Sequence, residues 1–62
     1  MGVSLTFSEV GDPTPVGGAS FGNDLHQVSM GDGYSKVAVD VVVGEIVVFE
    51  GKTLSVISKE TF

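Results

Sequence analysis

From Val37 to Phe49 the chain reads Val-Ala-Val-Asp-Val-Val-Val-Gly-Glu-Ile-Val-Val-Phe, and Thr53-Leu54-Ser55-Val56-Ile57-Ser58 follows shortly after. Such a density of β-branched residues favours extended chain. Parts of the run are apolar on both faces of a strand. The chain has only 62 residues, so little else is at hand to cover two faces. A domain of this size buries only about 60% of the surface its unfolded chain exposes. The excess apolar surface is therefore expected to meet another copy of the chain or a partner.

Small domains usually add disulfides, a structural metal or oligomerisation to a thin core. Cysteine is absent, which removes disulfides, thiolate metal sites and thiol chemistry together. A single histidine, His26, rules out a histidine-rich metal site. No cofactor or metal is expected. Oligomerisation or docking on a larger assembly is left as the source of extra stability.

Charge narrows the partners. Three lysines (Lys36, Lys52, Lys59), no arginine and eight carboxylates give a net charge of −5. Nucleic acid needs clustered Lys and Arg against its phosphates, and no basic patch is present. An anionic membrane surface is disfavoured for the same reason. Asp40, Gly44 and Glu45 interrupt the apolar run, which is too short for a membrane helix. The first residues show neither the basic region nor the long apolar stretch of a secretory signal. Met1-Gly2-Val3-Ser4-Leu5-Thr6 fits the N-myristoylation pattern, but no polybasic second signal follows, and a plain strand accounts for the segment.

Residues 3–9 alternate cleanly, with Val3, Leu5 and Phe7 on one side and Ser4, Thr6 and Ser8 on the other, the pattern of a half-buried strand. Residues 10–24 have no periodicity and contain Pro13, Pro15, Gly17, Gly18 and Gly22. They are expected as an extended loop or arm, with Val16 and Phe21 its sizeable apolar side chains besides Val10, that serves as a linker, lies on a neighbour anchored through Phe21, or acts as a ligand-binding lid. Residues 25–30 fit one or two helical turns or a strand. The strand is favoured over 27–30, because Gly31-Asp32-Gly33 then makes a hairpin loop into Tyr34. Residues 34–43 are expected as one long strand with Val37, Val39, Val41 and Val43 on the core face. Gly44 is expected to mark a bulge or a longer loop, since a two-residue turn centred on Val43-Gly44 would put valine where positive φ is usual.

Glu50-Gly51-Lys52-Thr53 has glycine first in a two-residue loop, which predicts a type II′ turn. Glu50 then opposes Thr53, Phe49 opposes Leu54, Val47 opposes Val56, and Ile46 opposes Ile57. One face carries Phe49, Leu54, Val47 and Val56 as core. The other brings Ile46 and Ile57 beside Val42, and this patch, with Phe21 and Val16 of the arm, is the predicted protein interface. The five expected strands, at 3–9, 27–30, 34–43, 45–50 and 53–58, make an all-β domain over 1–62, a small antiparallel barrel or sandwich.

No motif carries specific chemistry. Asn23, Asp24, His26 and Asp32 form the nearest polar cluster, without a nucleophile or a second histidine at ligand spacing. Gly31-Asp32-Gly33 lacks the remaining positions of a calcium loop. The glycines at 17–22 lack the lysine of a phosphate loop. Glu45 and Glu50 fall on opposite faces of one strand and cannot flank a single bond. Asp40 and Glu45 read as charges that break an aggregation-prone run. The chain is therefore not expected to be an enzyme.

In being short, acidic, cysteine-free and β-rich, with an extended arm, the chain resembles small virion structural proteins of bacteriophages, such as head-decoration and tail-accessory proteins. That resemblance implies a symmetric homo-oligomer or a role on a larger shell. The alternative is a small monomeric binding module that takes a peptide or small ligand at its sheet edge and glycine-rich loop.

Overall fold

The computed structural model describes residues 1–62 and is all-β, in line with the sequence reading. The strands are β1 (Val3–Glu9), β2 (Pro15–Phe21), β3 (Gln27–Ser29), β4 (Ser35–Val37), β5 (Ile46–Phe49) and β6 (Lys52–Thr61). Four of them form an antiparallel sheet in the order β2-β1-β6-β5, curled into a half-barrel, and β3 and β4 pair as a separate hairpin. An isolated bridge between Met30 and Val47 fastens that hairpin to β5.

The alternation at the start of the chain has the predicted effect. Ser4 and Thr6 are half-buried on the outer side, Ser8 departs from the pattern by being buried where the register shifts after Phe7, and Val3, Leu5 and Phe7 are buried as expected. They meet Val28, Met30, Ala38, Val41, Val47, Leu54 and Val56 in a single core. The hairpin loop at 31–33 is also as expected: the Met30 amide donates to the Tyr34 carbonyl, and Asp32 Oδ1 accepts from the Tyr34 amide.

Residues 34–43 are not one strand. After β4 the chain makes a 3-10 turn at Ala38–Asp40, closed by the Val41 amide on the Ala38 carbonyl. The turn buries Ala38 and Val41, three residues apart, and leaves Val43 exposed. The period-two pattern is overridden here by tertiary contact. The Ala38 amide donates to the His26 carbonyl and the Val39 amide to the Asp24 carbonyl, so the chain is held against the preceding loop as it turns.

The connection into β5 also departs from expectation. A turn centred on Val43-Gly44 does form, with the Glu45 amide on the Val42 carbonyl. Valine escapes the strain because only Gly44 takes positive φ, +99°, at the third turn position, as in a type II turn. Glu45 is committed to this corner. Its carboxylate accepts from the Val42 amide at 3.0 Å and pairs with Lys36 Nζ at 2.6 Å.

In the C-terminal hairpin the turn sits one residue earlier than predicted. Glu50 (φ +52°) and Gly51 (φ +77°) are the central pair, and two successive positive values mark a type I′ turn. Phe49 therefore opposes Lys52, Val47 opposes Leu54, and Ile46 opposes Ser55. Moving the turn by one residue shifts each partner by two. Face parity survives, so the predicted core face is right even though the partners are not. Glutamate in the left-handed region is strained where Asn or Gly is not. Glu50→Asn is expected to stabilise the domain by about 0.5–1 kcal/mol, read as a higher urea midpoint at unchanged m-value.

Candidate functional site

Residues 15–21, expected within the arm, are extended but lie on their own β1 as the edge strand β2. The pairing sets Phe21 opposite Val3, Ala19 opposite Leu5, and Gly17 opposite Phe7. Gly18 makes the pairing possible, since a Cβ there would stand 2.6 Å from the Leu5 carbonyl oxygen. No backbone hydrogen bond outside the β1 ladder involves residues 15–21, so the outer edge of β2 is unpaired.

Natural sheets blunt such edges with shortness, charge, proline or bulges. The outer edge of β4 has two of these devices: it is three residues long and carries Lys36. At β2, Pro15 and the register shift opposite Phe7 and Ser8 blunt only the first end. Gly17-Gly18-Ala19-Ser20-Phe21 remains without charge or proline.

The free edge opens into a cleft. Because the sheet is curled, Val16, Gly17 and Gly18 of β2 face the β5–β6 turn across a space of 510 Å³. Phe7, Phe49 and Leu54 contribute its apolar lining, and Glu9, Glu50, Lys52 and Thr53 its polar rim. The Phe7 and Phe49 rings are tilted by 42° with centroids 5.2 Å apart, Phe7 buried and Phe49 half-exposed. Far from this mouth the half-barrel is filled by the β3–β4 hairpin and the 3-10 turn, which supply Val28, Met30, Ala38 and Val41 to the core.

Electrostatics at the mouth are uneven. Lys36 is engaged in the protein's one ion pair, with Glu45. Its hydrogen bond, aided by the Val42 amide, holds the Glu45 carboxyl below the usual carboxylate range and raises the Lys36 ammonium. Lys59 Nζ donates to the Val39 carbonyl at 2.6 Å. The reason lies in a bulge: Thr6 opposes Ser58 while Phe7 opposes Val56, so Ile57 is skipped and Lys59 comes opposite Leu5. Lys52 is thus the one lysine without a side-chain partner, set among Glu9 and Glu50.

The predicted interface residues are distributed as follows. Val16 lies on β2 in the cleft wall, 55% exposed. Phe21 ends β2 and stacks on the His26 ring with centroids 4.6 Å apart, so its partner lies within the same chain. Val42 is 53% exposed at the corner before Gly44. Ile46 is half-buried under the 31–33 loop, where a Cβ on Gly31 would meet its Cγ2 at 2.8 Å. Ile57 is half-buried at the β6 bulge. The Ile46–Ile57 pairing on which the patch was built is absent.

The polar residues singled out in the sequence have local duties. Asn23 Oδ1 accepts from the Leu25 amide and Asp32 Oδ1 from the Tyr34 amide. Asp12, not among those residues, does the same in its own loop, its Oδ1 accepting from the Thr14 amide, which draws its carboxyl below the ordinary range. Sequence reasoning missed the cleft. Its lining comes from three separated stretches, 7–9, 16–18 and 49–54, and only the pairing of β2 with β1 brings 16–18 to Phe49 and Leu54. A comparison with family models, with curated proteins and with solved structures finds no match for this chain.

Proposed function

We propose that the protein is a non-enzymatic docking module that joins a larger protein assembly by accepting an extended segment of another chain along the outer edge of β2. The observation that supports this reading is the unpaired β2 edge opening into the Phe7–Phe49–Leu54 cleft. Strand addition draws affinity from main-chain hydrogen bonds and specificity from pockets for alternate side chains. Both elements are here. A strand laid beside Gly17–Phe21 finds free backbone groups and sends every second side chain towards the cleft.

A partner of different sequence is favoured over a second copy, because β2-to-β2 pairing brings together two chains that each carry a charge of −5. The likeness to small virion proteins makes a viral shell or tail one such assembly, on composition and architecture alone. The symmetric homo-oligomer is not needed to explain the site, and the alternative of a binding module that takes a peptide at its sheet edge shares this docking mode.

Light scattering combined with backbone amide exchange tests the reading. The free protein is expected to be a monomer at micromolar concentration, with fast exchange at the outward amides of 17–21. Heptapeptides selected from a random library are expected to slow that exchange and to shift the Phe49 and Leu54 side-chain resonances. A dimer with protected β2 amides in the free protein would overturn the proposal in favour of self-pairing. Peptides that bind without protecting β2 would overturn it outright.

A further inference from the structure

The edge of β2 says that a strand docks; the rim of the cleft says which kind. This step rests on the docking proposal above. Glu9 and Glu50 stand at the mouth with only Lys52 near them, and neither carboxylate is in an ion pair. Glu50 is fixed by the turn rather than by a partner, since Glu50-Gly51 are the central residues of the β5–β6 connection. The chain as a whole adds to the same field, with eight carboxylates against three lysines. Two of those lysines are already engaged, with Glu45 and with the Val39 carbonyl. An approaching acidic strand would therefore meet repulsion at the rim and at long range, whereas a basic one is drawn to both.

Below the rim the surface changes character. Phe49 is half-exposed and Leu54 and Phe7 lie behind it. A space of 510 Å³ lies within the ~300–1,000 Å³ range of side-chain and ligand pockets. Period-two geometry then dictates the arrangement along the guest. Residues on one face of the added strand enter the cleft, and residues at its flanks reach the rim.

We infer that the docking partner is a cationic extended segment, with one large apolar side chain seated against Phe49 and Leu54 and Lys or Arg on its flanks facing Glu9 and Glu50. The partner is a basic tail or loop of another protein in the assembly. It is recognised by the alternation of one apolar anchor with flanking positive charge, and not by an acidic or uncharged surface.

The experiment is the sequencing of heptapeptides selected on the intact protein from a random library at low salt, followed by affinity measurement. Selected peptides are expected to carry one large apolar residue with Lys or Arg enriched on either side. Their affinity should fall several-fold between about 0.05 and 0.5 M salt, as the screening length shrinks. The double variant Glu9→Gln, Glu50→Asn should bind them about tenfold more weakly. Because Glu50→Asn relieves a strained turn, that loss cannot be put down to unfolding, and a urea midpoint at or above wild type checks this directly. Neutral or acidic peptides that protect the β2 amides would overturn this inference and leave strand docking intact. If nothing selected protects β2, both fall.

Discussion

Replacing Phe7 by alanine is expected to leave the chain largely unfolded at 25 °C. Phe7 is the largest fully buried side chain, 1% exposed, and its ring is packed on that of Phe49. Truncating a buried phenylalanine costs about 3–5 kcal/mol once the cavity is counted with the lost transfer energy. The core of a domain below about 70–80 residues rarely supplies more than ~3–5 kcal/mol in total. The loss therefore equals the whole margin, with no disulfide to hold the remainder together. Amide chemical-shift dispersion and a cooperative urea transition should both disappear. Phe7→Leu is the companion variant. It keeps most of the volume, should cost about 1–1.5 kcal/mol, and should stay folded with a lower midpoint. If Phe7→Ala retains a cooperative transition displaced by less than about 1 kcal/mol, the core is not centred on this ring.

What could be read in advance follows from which forces act locally. The 3–9 strand, the 27–34 hairpin and the core face of the last hairpin are set by side-chain alternation and turn glycines, and these are sequence-local properties. β2 is different. Gly17-Gly18-Ala19-Ser20 has no β-propensity of its own and is held extended by the β1 backbone, with Ala19 opposite Leu5 and Gly17 opposite Phe7. Composition alone therefore marks it as a loop. The break at Ala38 is tertiary too, since the His26 and Asp24 carbonyls that fix it lie 12 and 15 residues back along the chain. At the β5–β6 turn the sequence favours glycine at the first central position. The chain instead uses it at the second and tolerates a left-handed glutamate. The cleft was invisible for a compound reason: it exists only after the unrecognised strand is added to the sheet. Val16, an interface residue of an arm by sequence, lines the cleft as part of the protein's own edge strand.

The most direct test of that edge lies in two neighbouring glycines. Gly18→Val is expected to detach β2 from β1. A Cβ at this position would stand 2.6 Å from the Leu5 carbonyl oxygen and 3.6 Å from the Thr6 Cα. Both neighbours are backbone of a strand paired on its other side with β6, so they cannot move away as a flexible side chain would. Forced contacts of this kind cost about 1–3 kcal/mol, and valine's further methyls place the expected loss near the upper end. Amides of β1 that bond to β2 should then exchange fast while those that bond to β6 stay protected. The cleft should lose one wall, and peptide binding should go with it. Gly17→Ala is the control. Nothing lies within 4 Å of its added Cβ and its φ is ordinary, so it should hold or raise stability by about 0.4–1 kcal/mol through the unfolded chain. The predicted difference between adjacent residues is therefore roughly 3 kcal/mol. Equal urea midpoints for the two variants would mean that β2 does not lie against β1, and the free edge, the cleft and the docking mode would fall together.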